Sequence, residues 1–307
     1  MAAADVAGTI RARALARRRV GVATARRLAG IADFRAAVSE LACTPYGREV
    51  RPGQSPAQAE HAVGRCLVWH LRVLAGWQSR HTAEMLRVLA GGYELDNLDE
   101  RRQQLAGRPA EPLFRLGALA SAGARLEAAA TRPALRASLA ASVWGDPGAD
   151  SEWALSVVPR LSWLHRVALR VPAAADWAAG AALLLLARHR VLEDRPVDRV
   201  AAAHLLPLTG AACLPARTLT ELAESADRRA GWVLTGVRVP GDLWRAEVRW
   251  WLRLDRDGVA LLHGARFTGD AAVGCAAVLA VDAWRVRAAL ESAARGGNLT
   301  EVFDATY

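Results

Sequence analysis

Along most of this chain, apolar residues repeat at the spacing of an α-helix, and that period points to an all-helical fold. A helix that buries one face carries apolar side chains at i, i+3, i+4 and i+7. Phe34, Ala37, Val38 and Leu41 follow this pattern. They stand behind Asp33, a residue type whose carboxylate caps helix N-termini. Pro45 stops that helix, and Thr44-Pro45-Tyr46-Gly47 reads as a turn. Ser55 is placed to cap the next helix, with Pro56 in its first turn. Val63, Cys66, Leu67, His70, Val73, Leu74 and Trp77 then fall on one stripe.

A further helix is expected over 82–90, interrupted at Gly91-Gly92. It resumes at Glu94 with Leu95, Leu98, Arg102 and Leu105 inward, and Gly107 and Pro109 end it. Ala/Leu-rich helices continue to Trp144, broken at Pro133. The loop Gly145–Ser151 is the best boundary. It divides one compact protein into an N-terminal helical part, 1–145, and a C-terminal helical part, 146–307. The second part is punctuated by Pro159, Pro172, Pro196, Pro207 and Pro215. Residues 231–262 alternate in places and admit a hairpin. From 243 to 254 a helix fits better, with Leu243, Trp244, Val248, Trp251 and Leu252 inward. The last helix runs from about Ala271 to Ala294 and ends at Gly296-Gly297. No exact repeat is visible. Three Leu/Ala-rich helices nonetheless share an early acidic residue, near Glu94, Asp176 and Asp282.

Charge narrows the partners. The 40 basic residues are all arginine, and the net charge is +9. A basic chain favours anionic partners: nucleic acid, an anionic membrane surface or an acidic protein. The densest cluster is Arg11, Arg13, Arg17, Arg18, Arg19, Arg26 and Arg27. It reads either as a solvated helix face or as a contact with something negative. No aromatic residue is interleaved there, so the cluster is not a stacking platform for single strands. The four cysteines, Cys43, Cys66, Cys213 and Cys275, form no CxxC pair and read as reduced, buried, cytosolic thiols. The N-terminus lacks the apolar core of a secretory signal. The most apolar stretch, Val171 to Ala187, carries Asp176 and is too short to span a membrane.

The motifs of catalysis are sparse. Without lysine there is no phosphate-binding Walker loop and no Schiff-base amine. GxSxG, GxGxxG and HExxH do not occur. His61, Cys66 and His70 share a helix, but no second cluster completes a zinc site, so they read as packed side chains. Glu94, Asp96, Asp99 and Glu100 look like the Mg²⁺-binding carboxylates of helical prenyl-converting enzymes. Glu94 and Asp96 point differently, however, and the run reads as a solvated helix start that complements the helix dipole.

Two segments together carry a family likeness. Ile31 to Val50 holds a short Asp33-Phe34 helix leading into Thr44-x-Tyr46-Gly47. Tyr93 to Pro109 holds a helix with Asp96-Asn97-Leu98, a basic Leu-bearing stretch and a Gly-Arg-Pro turn. The opening Arg/Ala helix and the last helix, Phe267 to Gly297, extend the match. In this order they resemble the C subunit of A-type and bacterial V-type rotary ATPases and the d subunit of eukaryotic ones, as a divergent member. The resemblance covers about the first 110 residues and the last 40 or so.

It implies a funnel-like, all-α protein of three quasi-equivalent helical units. The narrow end would sit on the membrane proteolipid ring, and the hollow would accept the axle of D and F subunits. The membrane stator subunit is a further partner. No catalytic residue, small-molecule substrate, metal or cofactor is implied, and the location is cytoplasmic, peripheral on the inner membrane face. The family-motif residues are Asp33, Phe34, Thr44, Tyr46, Gly47, Asp96, Asn97 and Leu98, and the candidate partner contacts are Arg11, Arg13, Arg17 and Arg18. The alternative is a basic all-helical scaffold or nucleic-acid-associated protein unrelated to an ATPase.

Overall fold

The computed structural model describes residues 3–264 and 268–297, and among them there is no strand. In chain order the α-helices are α1 (Ala3–Ala16), α2 (Gly21–Ala29), α3 (Phe34–Ala42), α4 (Pro56–Ala75), α5 (Arg80–Leu105), α6 (Gly123–Ala128) and α7 (Arg132–Ala140). They continue with α8 (Glu152–Arg170), α9 (Ala175–Ala187), α10 (Arg199–Thr209), α11 (Leu219–Ser225), α12 (Arg228–Gly231), α13 (Leu243–His263) and α14 (Asp270–Ala294). No described helix is long and apolar enough to cross a membrane.

Local chemistry sets most helix ends. Asp33 accepts the Arg35 N–H at 3.0 Å. Ser55 and Gln58 form a reciprocal capping box at α4, with Pro56 in the first turn. Ser151, Asp198 and Thr218 cap α8, α10 and α11. At the end of α5, the Arg108 and Gly107 N–H groups reach the carbonyls of Gln103 and Gln104. Gly107 takes the left-handed φ of 66° that this paired closure requires. Gly296, with φ 88°, ends α14 in the same way.

Two expectations are corrected, and the choice left open over 231–242 is decided. Gly91-Gly92 does not interrupt a helix, because α5 runs through both. Pro159 and Pro207 lie inside α8 and α10 and do not end them. Around Pro159, Leu155, Val158, Leu161 and Leu164 are buried, and that packing outweighs the lost backbone bond. Residues 231–242 form no hairpin strand but 3₁₀ turns at Trp232–Leu234 and Pro240–Asp242 before α13. Within α13, Leu243 and Val248 are buried as expected, whereas Trp244 is exposed.

The chain forms two compact units. Unit 1 is Met1–Leu86, Phe114–Ala118 and Leu254–Tyr307. Unit 2 is Arg87–Leu113 and Leu119–Arg253. The loop Gly145–Ser151 therefore lies inside unit 2. In unit 1, α14 packs against α1, α2, α3 and α4. A Cβ at Gly274 would sit 2.5 Å from the Gly258 carbonyl, so α13 and α14 cross backbone to backbone there. In unit 2, α8, α9 and α10 pack on one another and α12 packs on α9. A second cluster there gathers Leu95, Leu98, Leu126, Leu135, Leu139, Trp144 and Leu155.

Candidate functional site

The buried polar chemistry concentrates at two carboxylates set in the middle of long helices. Asp282 of α14 is 1% exposed. It accepts N–H bonds from Val20 at 3.1 Å and Gly21 at 2.8 Å, where α2 begins. It also accepts the Tyr46 hydroxyl at 3.0 Å. Burial pushes its carboxyl above the usual range, opposed by these donors and by nearby Arg19. Tyr46 is aimed by its own turn. The Thr44 hydroxyl donates to the Leu41 carbonyl at 2.6 Å and accepts the Tyr46 N–H at 3.2 Å. Gly47 closes the turn so tightly that a Cβ would lie 1.9 Å from the Ala42 carbonyl oxygen. Gly47→Ala is expected to cost about 2 kcal/mol or more, read as a lowered melting temperature; an unchanged value would mean that the turn can open.

Unit 2 repeats this construction. Glu94 of α5 is also 1% exposed. It accepts the Ser121 N–H at 3.0 Å and the Ala122 N–H at 2.6 Å, just ahead of α6. Burial raises its pKa against those bonds. The Ser142 hydroxyl donates to the Leu139 carbonyl at 2.7 Å and accepts the Trp144 N–H at 3.2 Å. Trp144 thus takes the place of Tyr46. Its indole N–H falls short of a well-formed hydrogen bond but lies near enough to Glu94 to favour the charged form. The turns read Thr44-Pro45-Tyr46-Gly47 and Ser142-Val143-Trp144-Gly145.

A third occurrence lies in unit 2 without the acid. Three residues before Glu94, Gly91 is pinched between two indoles; a Cβ there would be 2.8 Å from Trp144 and 3.0 Å from Trp163. Trp163 Nε1 donates to the Val88 carbonyl at 2.7 Å, three residues before that glycine. On α9, a Cβ at Gly180 would be 2.7 Å from Trp232 and 3.3 Å from Trp250. Trp250 Nε1 donates to the Trp177 carbonyl at 2.8 Å, again three residues before the glycine. The position matching Glu94 is then Leu183, fully buried. In unit 1 the position matching Gly91 is Leu279, which lines a small cavity with Leu67, Tyr46 and Asp282.

Three helical sets therefore share one plan: α5 to α8, α9 to α13, and α14 with α1 to α4, the last divided by the chain ends. Each contains a buried leucine five residues before the residue preceding a short helix: Leu28 and Asp33, Leu126 and Thr131, Leu222 and Asp227. That spacing, with alanine before each Asp or Thr, was the readable signal of the repeat. The sequence likeness instead grouped Asp176 with Glu94 and Asp282. Asp176 is a half-exposed partner of Arg229 and Arg253, not a buried anchor.

The remaining family-motif residues are structural. Asp33 caps α3 and Phe34 is half-buried in its first turn. Leu98 is fully buried and Asn97 is 4% exposed. Asp96 and Asp99 hold Arg160 at 3.4 and 2.5 Å. The acidic run is thus not a solvated helix start: it lies well inside α5, and Glu100 accepts the Glu111 N–H at 2.8 Å. Of the candidate contact arginines, Arg13 caps the end of α13 through the Leu262 and Gly264 carbonyls at 2.8 and 3.0 Å. The Arg11 guanidinium lies 5.4 Å from the Trp77 ring centre. Arg17 and Arg18 are exposed.

His61 stacks on Phe114 at 4.4 Å, and Cys66 Sγ lies 3.9 Å from His70 Nδ1. Burial pushes the Cys66 thiol up to about 11 and holds His70 down at about 4, which is the opposite of an activated thiolate pair. Among the described residues no three metal-ligating side chains gather. Beside Gly180, an open cleft of about 260 Å³ is walled by Trp163, Leu164, Leu184, Leu185, Trp250 and Trp251. The sequence matches no family model, and no curated protein is significantly similar to it.

Proposed function

We propose that this chain is a non-catalytic coupling part of a rotary V/A-type ATPase, a divergent relative of the C and d subunits. In that role it links the D/F axle to the proteolipid ring on the cytoplasmic face of the membrane. The observation that supports the reading is the threefold plan: one long helix pinned near its middle by an aromatic or leucine side chain, repeated in three sets. Three quasi-equivalent units are what the sequence resemblance implies. A part that transmits torque needs interiors that do not yield. Close-packed cores with low compressibility supply that stiffness, and buried carboxylates tying one helix to the start of another add to it. Exposed arginines such as Arg17 and Arg18 would meet acidic residues on the axle, the ring loops or the stator subunit.

The test is affinity purification of the tagged chain from native membranes in mild detergent. The expected result is co-recovery of ATPase A, B, D and F subunits with the proteolipid ring. Recovery of the chain alone from the cytosolic fraction would overturn the reading. A steep salt dependence of binding to random DNA would then favour the basic scaffold.

A further inference from the structure

We propose that two ion pairs of opposite polarity stop α8 and α13 from exchanging places in unit 2. The two tryptophan–glycine contacts alone do not tell these helices apart. Trp163 of α8 docks beside Gly91 and bonds to the carbonyl three residues before it. Trp250 of α13 docks beside Gly180 and bonds to the carbonyl three residues before it. A chain built from similar sets is therefore exposed to a swapped docking, with Trp250 of α13 beside Gly91 of α5 and Trp163 of α8 beside Gly180 of α9. Repeat proteins misassemble in this manner.

Charge breaks the tie. Three residues before its tryptophan, α8 carries Arg160 and α13 carries Glu247. Eight residues after its glycine, α5 carries Asp99, and Arg188 stands at the C-terminal cap of α9. In the native pairing Arg160 meets Asp99 at 2.5 Å, with Asp96 at 3.4 Å, and Arg188 pairs with Glu247. In the exchanged pairing Glu247 would face Asp99 and Asp96, and Arg160 would face Arg188. Both sites then hold like charges. The pairs are part-exposed, so each adds little to native stability. Their value lies in the difference between two arrangements, which like-charge contacts widen.

The intact chain of 307 residues tests this through the reversed pair R188E/E247R. That variant keeps both ion pairs but gives the α9–α13 site the polarity of the α5–α8 site, so exchange is no longer opposed. The expected result at low salt is an unchanged urea midpoint. Interrupted-refolding experiments should recover native protein with a several-fold lower early yield and a new slow phase. The parent should acquire the same slow phase near ~1 M salt, where screening acts within about 3 Å. Refolding of the variant at parental rate and yield would overturn the proposal. If R188E/E247R shows a lowered midpoint, R188Q/E247Q makes the comparison, because it removes both like-charge contacts of the exchanged state and leaves Arg160–Asp99 intact. Parental refolding of that variant would equally overturn it.

Discussion

Gly91→Leu is expected to destabilise the protein by about 3 kcal/mol, read as a fall in the urea midpoint. A Cβ alone at this site would approach Trp144 to 2.8 Å and Trp163 to 3.0 Å, and Leu adds three more carbons in that direction. Leaving glycine returns about 1 kcal/mol of helix propensity, which does not cover overpacking against two indoles. The indoles have little room to move. Trp144 is buried at the Ser142 turn, and Trp163 is held by its bond to the Val88 carbonyl. Unit 1 shows how the site can be refilled: it carries Leu279 and Leu67 where unit 2 carries Gly91 and Trp163. W163L alone should cost about 2 kcal/mol through the cavity it leaves. The double variant G91L/W163L should then be more stable than the sum of the two losses by at least about 1 kcal/mol. Strict additivity would mean that the two positions are not packed as a pair, and the correspondence with unit 1 would fall.

The helices and their ends were legible because their causes are local. Asp33, Thr44, Ser55 and Gly107 act within five residues of themselves, and sequence displays that range directly. The anchors were not legible, because their partners are distant. Glu94 bonds to groups 27 and 28 residues away, and Asp282 reaches back across the chain to Tyr46. An acid near the start of an apolar run suggests a helix N-terminus, so Glu94 read as solvated although α5 begins at Arg80. Gly91-Gly92 read as a break because propensity disfavours glycine in helices. Here a helix needs glycine so that Trp163 can approach. The third set was hidden for a related reason. Its glycine and tryptophans persist at Gly180, Trp232 and Trp250, but its acid position is Leu183, and nearby Asp176 supplied a false match.

Asp282→Ala is expected to cost about 3–4 kcal/mol, because the donors it satisfies stay behind. The substitution strands the N–H groups of Val20 and Gly21 and the Tyr46 hydroxyl. Water can reach the two part-buried amides, which keeps the loss below three full penalties. Tyr46→Phe removes one donor and leaves the carboxylate its two amides, so about 1 kcal/mol is expected from it. The pH dependence separates a buried charge from simple packing. Burial raises the Asp282 carboxyl above its ordinary pKa, so the folded chain holds this proton more tightly than the unfolded chain. Between the ordinary value, about 4, and the raised one, the folded state therefore binds more protons, and this group's share of stability falls as pH rises. Asp282→Asn removes that share of the slope while keeping one acceptor for the α2 amides. Urea midpoints measured across the acid range should fall less with rising pH in Asp282→Asn than in the parent. Parallel profiles would show that Asp282 titrates alike folded and unfolded, and would leave Glu94, whose pKa burial raises in the same direction, as the carboxylate to replace next.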